Sequence, residues 1–194
     1  MDPSKIASAL MAAARRYKER LVAKSGIGED IPPLALLIDE NGDVLLTLLL
    51  SFHTEDAKYD SIIRVGNAVA LSDCSYAGFV TETYVRMDLD LDAPSPSPGT
   101  FERAFAGGDP NVMEAVTVAV VAEDRSVGFV SNCYRYDKRS VVWDSDRDGE
   151  PTSWIVNDMR ECFEGRAKRP VPAVPYGVLP ELVGLDAYKS DLVT

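Results

Sequence analysis

The sequence contains few residues of the kinds that bind transition metals or form disulfides, with three cysteines and one histidine among 194 residues. Cys74, Cys133 and Cys162 lie far apart and form no Cys-X-X-Cys pair, so neither a zinc site nor a disulfide scaffold is indicated. This pattern is typical of buried thiols in a reducing compartment. The spacing also supplies no cysteine partner for His53, the single histidine.

Long apolar runs and common catalytic motifs are missing as well. The longest apolar run, residues 44–50, is far shorter than the roughly 20 residues that cross a bilayer. The N-terminus has an alanine-rich basic segment in place of the apolar core of a signal peptide. No GxSxG, GxGxxG, Walker or HExxH motif is present. We therefore expect a soluble, cytoplasmic protein that does not bind membranes.

Positive charge is scarce, and the formal net charge is −11. Proteins that bind nucleic acid directly use lysine and arginine to neutralise phosphates, so direct nucleic-acid binding is not expected. An acidic mimic of nucleic acid would carry the same charge, and it stays open as an alternative. The first 25 residues are the exception, with six basic and two acidic residues.

The basic N-terminal segment is predicted to be an amphipathic helix. Asp2 can cap it, Pro3 suits its first position, and Gly26 or Gly28 can end it. Apolar positions recur every three or four residues, so one face should cover a sheet while the basic residues occupy the other faces. The predicted stripe is Ile6, Leu10, Ala13, Tyr17 and Leu21, and the basic residues are Arg15, Arg16, Lys18, Arg20 and Lys24.

The centre of the chain predicts an α+β fold. Asn41-Gly42 marks a hairpin turn between strands 34–38 and 44–52, and the second strand is apolar on both faces, which is typical of a central strand. Thr54 can cap a crossover helix before the alternating strand 77–91, and this order favours a right-handed parallel crossover. An antiparallel meander should follow. We predict a mixed sheet of five to six strands, the last three over residues 113–123, 127–136 and 140–143.

Proline and glycine divide the rest of the chain. Residues 92–111 are predicted to form a long flexible loop, and a last helix should follow Thr152 or Ser153 and end near Gly165. The proline-rich remainder predicts an extended C-terminal arm. We therefore expect a single α+β domain over residues 1–165 and an arm over residues 166–194.

The run from Asp144 to Gly149 is the clearest chemical motif. Asp144, Asp146 and Asp148 alternate and are closed by a glycine, as in the first half of a calcium-binding loop. The second half does not match, because Ile155 stands where a helix–loop–helix site has its bidentate glutamate. A Ca²⁺ site of another shape and a solvated turn between strand and helix both remain open, and the turn is favoured.

Three side chains are candidates for acid–base or metal chemistry. His53 follows an apolar strand, a position where catalytic residues often lie in α/β folds. Glu82 and Glu114 lie on strands whose faces are partly covered, where a carboxyl pKa can be perturbed. The alternative interpretations are a structural or exposed histidine and solvated glutamates. No residue is singled out as catalytic, and no cofactor is indicated.

Three sequence stretches follow one another between residues 80 and 143. Val80-Thr-Glu82-Thr-Tyr84 is an acid–aromatic strand, Asp109-Pro-Asn-Val-Met-Glu114-Ala-Val leads from a turn into a strand, and a strand pair ends at Trp143. This order resembles a family of proteins of unknown function from actinobacteria and their phages, over roughly residues 33–145. The resemblance implies no activity. It implies that Glu82 and Glu114 are worth testing as facing groups on adjacent strands.

The sequence thus predicts a non-enzymatic binding or assembly protein. The resemblance leaves open that a phage encodes it. Its arms would contact another protein or a second copy of the chain, because extended proline-rich segments can wrap a partner without a core of their own. The alternative is a metal-dependent or acid–base enzyme that uses Glu82, Glu114 and His53. That alternative predicts that the three side chains converge in one cleft under the 92–111 loop.

Overall fold

The computed structural model describes residues 1–86, 99–148 and 154–166. Within these ranges the chain forms one six-stranded sheet with helices on both faces. The α+β class and the strand number are therefore confirmed. The elements in chain order are α1 (Pro3–Ser25), β1 (Leu34–Ile38), β2 (Val44–Leu49), α2 (Glu55–Leu71), β3 (Tyr76–Arg86), α3 (Thr100–Ala106), β4 (Val112–Ala122), β5 (Val127–Asp137), β6 (Ser140–Asp148) and α4 (Trp154–Arg166).

The strand order is β2-β1-β3-β4-β5-β6, and every adjacent pair is antiparallel. The predicted mixed sheet is therefore wrong. The crossover through α2 does link two strands of the same direction, β2 and β3, but it passes over β1. Because β3 pairs with β1 and not with β2, no parallel ladder forms.

The predicted central position of β2 is also wrong. Strand β2 lies at the edge of the sheet and is only partly buried, whereas all five residues of β1 are buried. An apolar sequence indicates that both faces of a strand can be covered. The apolar composition of β2 does not determine which strand β3 will pair with. Here the crossover places β3 against β1.

Helix α1 packs on one face of the sheet and forms the first core. The Asp2 side chain accepts a hydrogen bond from the Ser4 N–H at 2.9 Å, and Gly26 ends the helix with φ 97°, as predicted. Gly128 on β5 allows close contact, because a Cβ there would clash with the Pro3 carbonyl. The buried α1 residues are Ile6, Ala7, Ala9, Leu10, Met11, Ala13, Ala14, Lys18 and Val22.

Helices α2 and α4 cover the opposite face. The Thr54 side chain caps α2 by accepting a hydrogen bond from the Ala57 N–H at 3.1 Å, as predicted. Gly66 of α2 lets α4 approach, since a Cβ there would lie 3.2 Å from the Cys162 Sγ. Val65, Val69, Val156, Met159 and Phe163 bury their side chains in this second core.

One predicted loop contains regular structure. Helix α3 lies within the predicted 92–111 loop. Glycine and proline on both sides of it favoured a loop prediction, and the seven-residue helix between them was missed. The β4–β5 and β5–β6 turns are short, as predicted, with positive φ at Arg125 and Lys138. The ends of three predictions lie outside the described residues: the strand beyond Arg86, the cap of the last helix, and the arm after Arg166.

Candidate functional site

Glu82 lies at the centre of a buried polar cluster between the sheet and α1. It is on β3, on the face that α1 covers, and only 9% of its side chain is exposed. Its Oε1 lies 2.8 Å from the Lys18 Nζ and accepts a hydrogen bond from the Tyr134 hydroxyl at 2.7 Å. Its Oε2 accepts a hydrogen bond from the Ile31 N–H at 2.5 Å. The carboxylate therefore joins α1, β3, β5 and the segment before β1.

Lys18 is the cation of this cluster, and its side chain is fully buried. Besides the contact with Glu82, the ammonium donates to the Glu29 carbonyl at 2.6 Å and lies 3.6 Å from the Asp30 carboxylate. It also lies 5.1 Å from the centre of the Tyr134 ring, a distance at which a cation is attracted to an aromatic face. Lys18 is thus held by charge, hydrogen bonds and ring contact together.

The sequence prediction placed Lys18 among the outward basic residues, and that prediction is wrong. Its neighbours at spacings of four, Ala14 and Val22, are both buried. The predicted stripe residues Tyr17 and Leu21 are only partly buried. The spacing Ala14–Lys18–Val22 places Lys18 in a row of buried residues and could have indicated its burial. A lysine in such a row is normally expected to be exposed unless its anionic partner is known.

The charges in the cluster stabilise one another against the cost of burial. Burial alone lowers the pKa of Lys18, but the hydrogen bonds and charges of Glu82 and then of Tyr136 together outweigh it and raise that pKa. Burial raises the pKa of Glu82, and Lys18 and Tyr134 oppose the shift. Burial and then Glu82 raise the pKa of Tyr134. The arrangement holds Lys18 as a cation and Tyr134 as a neutral donor.

Glu114 lies beside this cluster. It is on β4, opposite Tyr84 of β3 and Tyr134 of β5, whereas Glu82 is opposite Val116. The two glutamates therefore lie on the same sheet face of adjacent strands. They are diagonal neighbours, one cross-strand pair of that face apart. Burial raises the pKa of Glu114, Lys18 opposes the shift, and the charges of Glu82 and Asp30 add to it.

Helix α3 closes the end of this face. The Phe105 ring lies 5.1 Å from the Tyr84 ring, and Arg86 forms an ion pair with Asp109 at 3.2 Å. Together these contacts hold the α3 region against the ends of β3 and β4, next to Glu114. The described contacts of α3 and Asp109 are with Tyr84 and Arg86, so the predicted cleft under the 92–111 loop stays a prediction.

His53 does not join the cluster. It is exposed in the connection between β2 and α2, and the described residues include no contact between it and either glutamate. Strand β2 is separated from β3 by β1. The structure therefore brings together two of the three candidate acid–base residues and leaves the third apart.

The acidic run is a strand where the sequence predicted a tight loop. Strand β6 continues through Asp148, with Asp146 opposite Asn132 and Asp148 opposite Val130. An irregularity in the register opposite Asn132–Tyr134 is the only interruption of the described β5–β6 ladder. The run pairs because β5 is long enough to give it a partner, which local composition does not reveal.

Metal binding at the acidic run stays a prediction. Asp144 is exposed, and the side chains of residues 145–148 and Gly149 lie outside the described part. Among the described side chains, no group of three or more histidine, cysteine, aspartate or glutamate residues is placed to hold a metal ion.

The outer edge of β2 is a second unusual surface. Leu45 and Leu49 are 47% and 38% exposed. No strand in the described ranges pairs with this edge. Residues 44–50 contain no charged residue and no proline. Soluble proteins usually protect sheet edges with charges, prolines, bulges or covering segments. Strand β2 has an irregularity at Leu45, where its pairing with β1 shifts between Leu37 and Ile38. The regular apolar part of the edge, from Leu46 to Leu49, is where another strand could pair.

The backbone of β2 offers hydrogen-bonding groups on that outer side. The Leu50 N–H donates to the Pro33 carbonyl at 2.8 Å, so residue 50 is directed at β1. Because the direction alternates along an antiparallel strand, Thr47 and Leu49 direct their N–H and C=O groups outward. The Arg64 Nη1 lies 3.5 Å from the Leu49 carbonyl oxygen, which is a long and weak hydrogen bond.

Comparisons with known proteins give no family. No family model matches the chain, and no curated protein or solved structure matches it. The resemblance to actinobacterial and phage proteins therefore stays a prediction. Of the helices among the described residues, none is both long and apolar enough to cross a membrane.

Proposed function

We propose that this chain is a binding or assembly protein whose contact surface is the outer edge of β2. The observation that carries the proposal is the combination of outward backbone groups with the exposed leucines Leu45 and Leu49 on an edge strand. Exposed leucines alone are common on protein surfaces. On an edge strand without charges they mark a place where another polypeptide can add itself to the sheet.

The mode of binding would be strand addition. An incoming extended segment would receive main-chain hydrogen bonds from Thr47 and Leu49, and its side chains would cover the exposed Leu49. Affinity in this mode comes from the backbone, and specificity comes from the side chains on one face. The buried partner strand β1 fixes β2 from the inner side, so the template is already formed.

The acid–base alternative receives less support from the geometry. Glu82 is only 9% exposed, and three partners already bind its carboxylate: Lys18 and Tyr134 at Oε1 and the Ile31 N–H at Oε2. The lone pair that remains on Oε2 is therefore in a buried position. A general base needs a free lone pair within reach of a substrate proton. Glu114 is half-buried and has a raised pKa, but His53, its proposed partner, lies elsewhere.

The test is selection from a library of random peptides on the immobilised full chain. The informative variant is Thr47→Pro, because proline at 47 removes an outward N–H and leaves the inward bonds of Leu46 and Leu48 in place. The control is Thr47→Val, which keeps the N–H and the branched shape. We expect the chain and Thr47→Val to enrich the same apolar, extended peptides and Thr47→Pro to enrich none of them.

Self-association would occlude the edge, so the selection is paired with a mass measurement by light scattering. Leu45→Lys combined with Leu49→Lys serves as a second edge variant if the proline variant does not fold. Peptide enrichment or self-association that is lost in the edge variants supports the proposal. A chain that stays monomeric and enriches no peptide, or whose binding is identical in all variants, overturns it.

A further inference from the structure

We infer that residues 26–31, between α1 and β1, form a strap that opens and closes over the Glu82–Lys18 cluster while the rest of the fold stays intact. The inference goes beyond the proposed function and does not rest on it. Of the described lysines and arginines, only Lys18 is fully buried, and two of its polar contacts are with the strap. Opening of the strap therefore gives solutes access to Lys18 and to the Glu82 carboxylate.

A small set of contacts holds the strap closed. The Lys18 Nζ donates to the Glu29 carbonyl at 2.6 Å and lies 3.6 Å from the Asp30 carboxylate. The Ile31 N–H donates to the Glu82 carboxylate at 2.5 Å. The Ile31 side chain is only 2% exposed and packs in the first core, so it acts as the latch. Segments with few buried contacts open locally at a lower free energy than the whole chain needs to unfold.

Two glycines at the α1 end of the strap supply the hinge. Gly26 has φ 97° and Gly28 has φ 102°, in a region that residues with a Cβ rarely adopt. A Cβ at either position would meet no heavy atom within 4 Å, so close packing does not explain these glycines. Because glycine leaves the backbone freer to rotate than any other residue does, the strap can pivot at this end without losing packing.

The β1 end of the strap is fixed. The Pro33 carbonyl accepts a hydrogen bond from the Leu50 N–H at 2.8 Å, which ties this point to the strand pair of β1 and β2. The rings of Pro32 and Pro33 also hold φ near about −65°. Movement is therefore confined to the residues before Pro32, and these are the residues that contact Lys18 and Glu82.

The buried ion pair itself survives the opening. Lys18 keeps its 2.8 Å contact with Glu82, and Glu82 keeps the Tyr134 hydroxyl at 2.7 Å, because these side chains belong to α1 and the sheet. The groups that leave with the strap are backbone groups and one exposed carboxylate, which water can solvate. Opening therefore avoids the penalty of leaving a buried charge without its partner.

The first test is hydrogen exchange of the full chain, followed residue by residue by NMR at increasing urea concentrations. The Ile31 N–H should exchange through strap opening, at a rate that low urea hardly changes, because opening exposes little surface. The Leu36 N–H, in the fully buried β1, should exchange only on global unfolding and should respond steeply to urea. Met159→Ala, in the second core on the opposite face, should speed Leu36 exchange at least tenfold and leave Ile31 unchanged.

The second test is acetylation of Lys18 by acetic anhydride, measured by mass spectrometry against Lys24, an exposed lysine of the same helix. Lys18 should react at least tenfold more slowly than Lys24. Ile31→Ala should raise the Lys18 rate at least tenfold, because it removes most of the latch. The matched control is Ile27→Ala, at a strap position that is 54% exposed, and it should leave the rate unchanged.

Two further variants keep the test decisive if Ile31→Ala does not fold. Ile31→Val removes one methylene group and should raise the Lys18 rate roughly two- to tenfold. Gly28→Ala should also raise it, because alanine disfavours the φ of the closed strap although no contact is lost.

The outcomes separate local opening from global unfolding. Ile31 exchange that is indifferent to Met159→Ala, with Lys18 acetylation that rises in the latch and hinge variants, supports the inference. If Ile31 exchange follows that of β1 in urea and in Met159→Ala, the strap opens only when the chain unfolds, and the inference is overturned. It is overturned as well if Lys18 reacts as fast as the exposed lysine, or if the exposed strap control has the same effect as Ile31→Ala.

Discussion

The sheet face under α1 and the β2 edge differ in which groups they bury and which they expose. Near α1, a lysine and a glutamate are buried, and their charged atoms are bonded to each other and to backbone groups. At β2, leucines are exposed and backbone groups point outward without a described partner strand. A buried charge needs a partner of opposite charge, whereas an exposed apolar edge strand can remain unpaired or can accept another strand.

The difference lies in where that interaction is found. The cluster around Glu82 is satisfied within the described part of the chain, by α1, β5 and the segment before β1. It therefore contributes to a specific packing of α1 on the sheet. The β2 edge lacks such an internal partner among the described residues. Changes in the first region should alter stability, and changes in the second should alter association.

The largest expected effect is that of Lys18→Met. Removing the cation leaves the Glu82 carboxylate buried without its partner, and breaking a buried ion pair in this way typically costs about 3–5 kcal/mol. Urea unfolding at pH 7 measures the loss. The matched control is Arg20→Met, on an exposed position of the same helix, which should change stability by less than about 0.5 kcal/mol.

Two further measurements sharpen this prediction. The double variant Lys18→Met with Glu82→Leu should recover part of the loss, because no buried charge remains. The loss in Lys18→Met should also shrink as the pH falls toward 4.5, the ordinary pKa of glutamate, since a protonated Glu82 no longer needs the cation. A loss below about 1 kcal/mol for Lys18→Met would contradict the structural role of the pair.

A smaller effect is expected for Glu114→Gln, and its sign depends on pH. Burial raises the folded-state pKa of Glu114 above 4.5, so the folded state binds the proton more tightly than the unfolded state does. The wild-type chain therefore loses stability as the pH rises through that raised pKa, while the glutamine variant does not. At pH 7 the variant should be more stable, by up to about 1 kcal/mol for a partly exposed group.

The measurement is the free energy of unfolding from pH 4 to pH 8 for both proteins. The gain from Glu114→Gln should be absent near pH 4 and reach its full size above the raised pKa. Glu161→Gln, on an exposed position of α4, is the control and should change stability less at pH 7. A variant less stable than the wild type at pH 7 would show that the Glu114 charge is favourable in the folded chain.

The smallest effect on stability is expected at the edge. Leu49→Lys should change the free energy of unfolding of the monomer by no more than about 0.5 kcal/mol, because the side chain is already partly in water. Leu48→Lys is the contrast: Leu48 is fully buried on the same strand, and an unpaired charge there should unfold the protein. The two variants are compared by urea unfolding at dilutions where single copies dominate.

A large loss of stability in Leu49→Lys would contradict the comparison between the two regions, because it would show that the edge is part of the internal packing. Near-equal stability with reduced association is the expected pair of results.

Much of the secondary structure could be predicted from the sequence. The cap at Asp2, the cap at Thr54, the hairpin turn at Asn41-Gly42 and the alternation in β3 depend on interactions within a few residues. These predictions succeeded because short-range hydrogen bonds and side-chain periodicity do not depend on the rest of the fold.

The failed predictions involve partners that are distant in the chain. Lys18 meets Glu82 across 64 positions, so neither residue reveals the pair locally. The run at 144–148 becomes strand because β5 extends alongside it. Strand β2 was expected at the centre because its composition suits burial on both faces, and it lies at the edge because β3 pairs with β1.

The sequence by itself determined most of the helices and strands, since these depend on local spacing and capping; the exceptions are α3 and residues 144–148 of β6. It also determined that β2 carries no charge to protect an edge. Only the tertiary structure decided that β2 is an edge and that Lys18 is buried, because strand order and ion pairing are set by competition among distant contacts. The same apolar strand would be ordinary core in the centre of the sheet; at the edge it is the surface to which we propose that a partner binds.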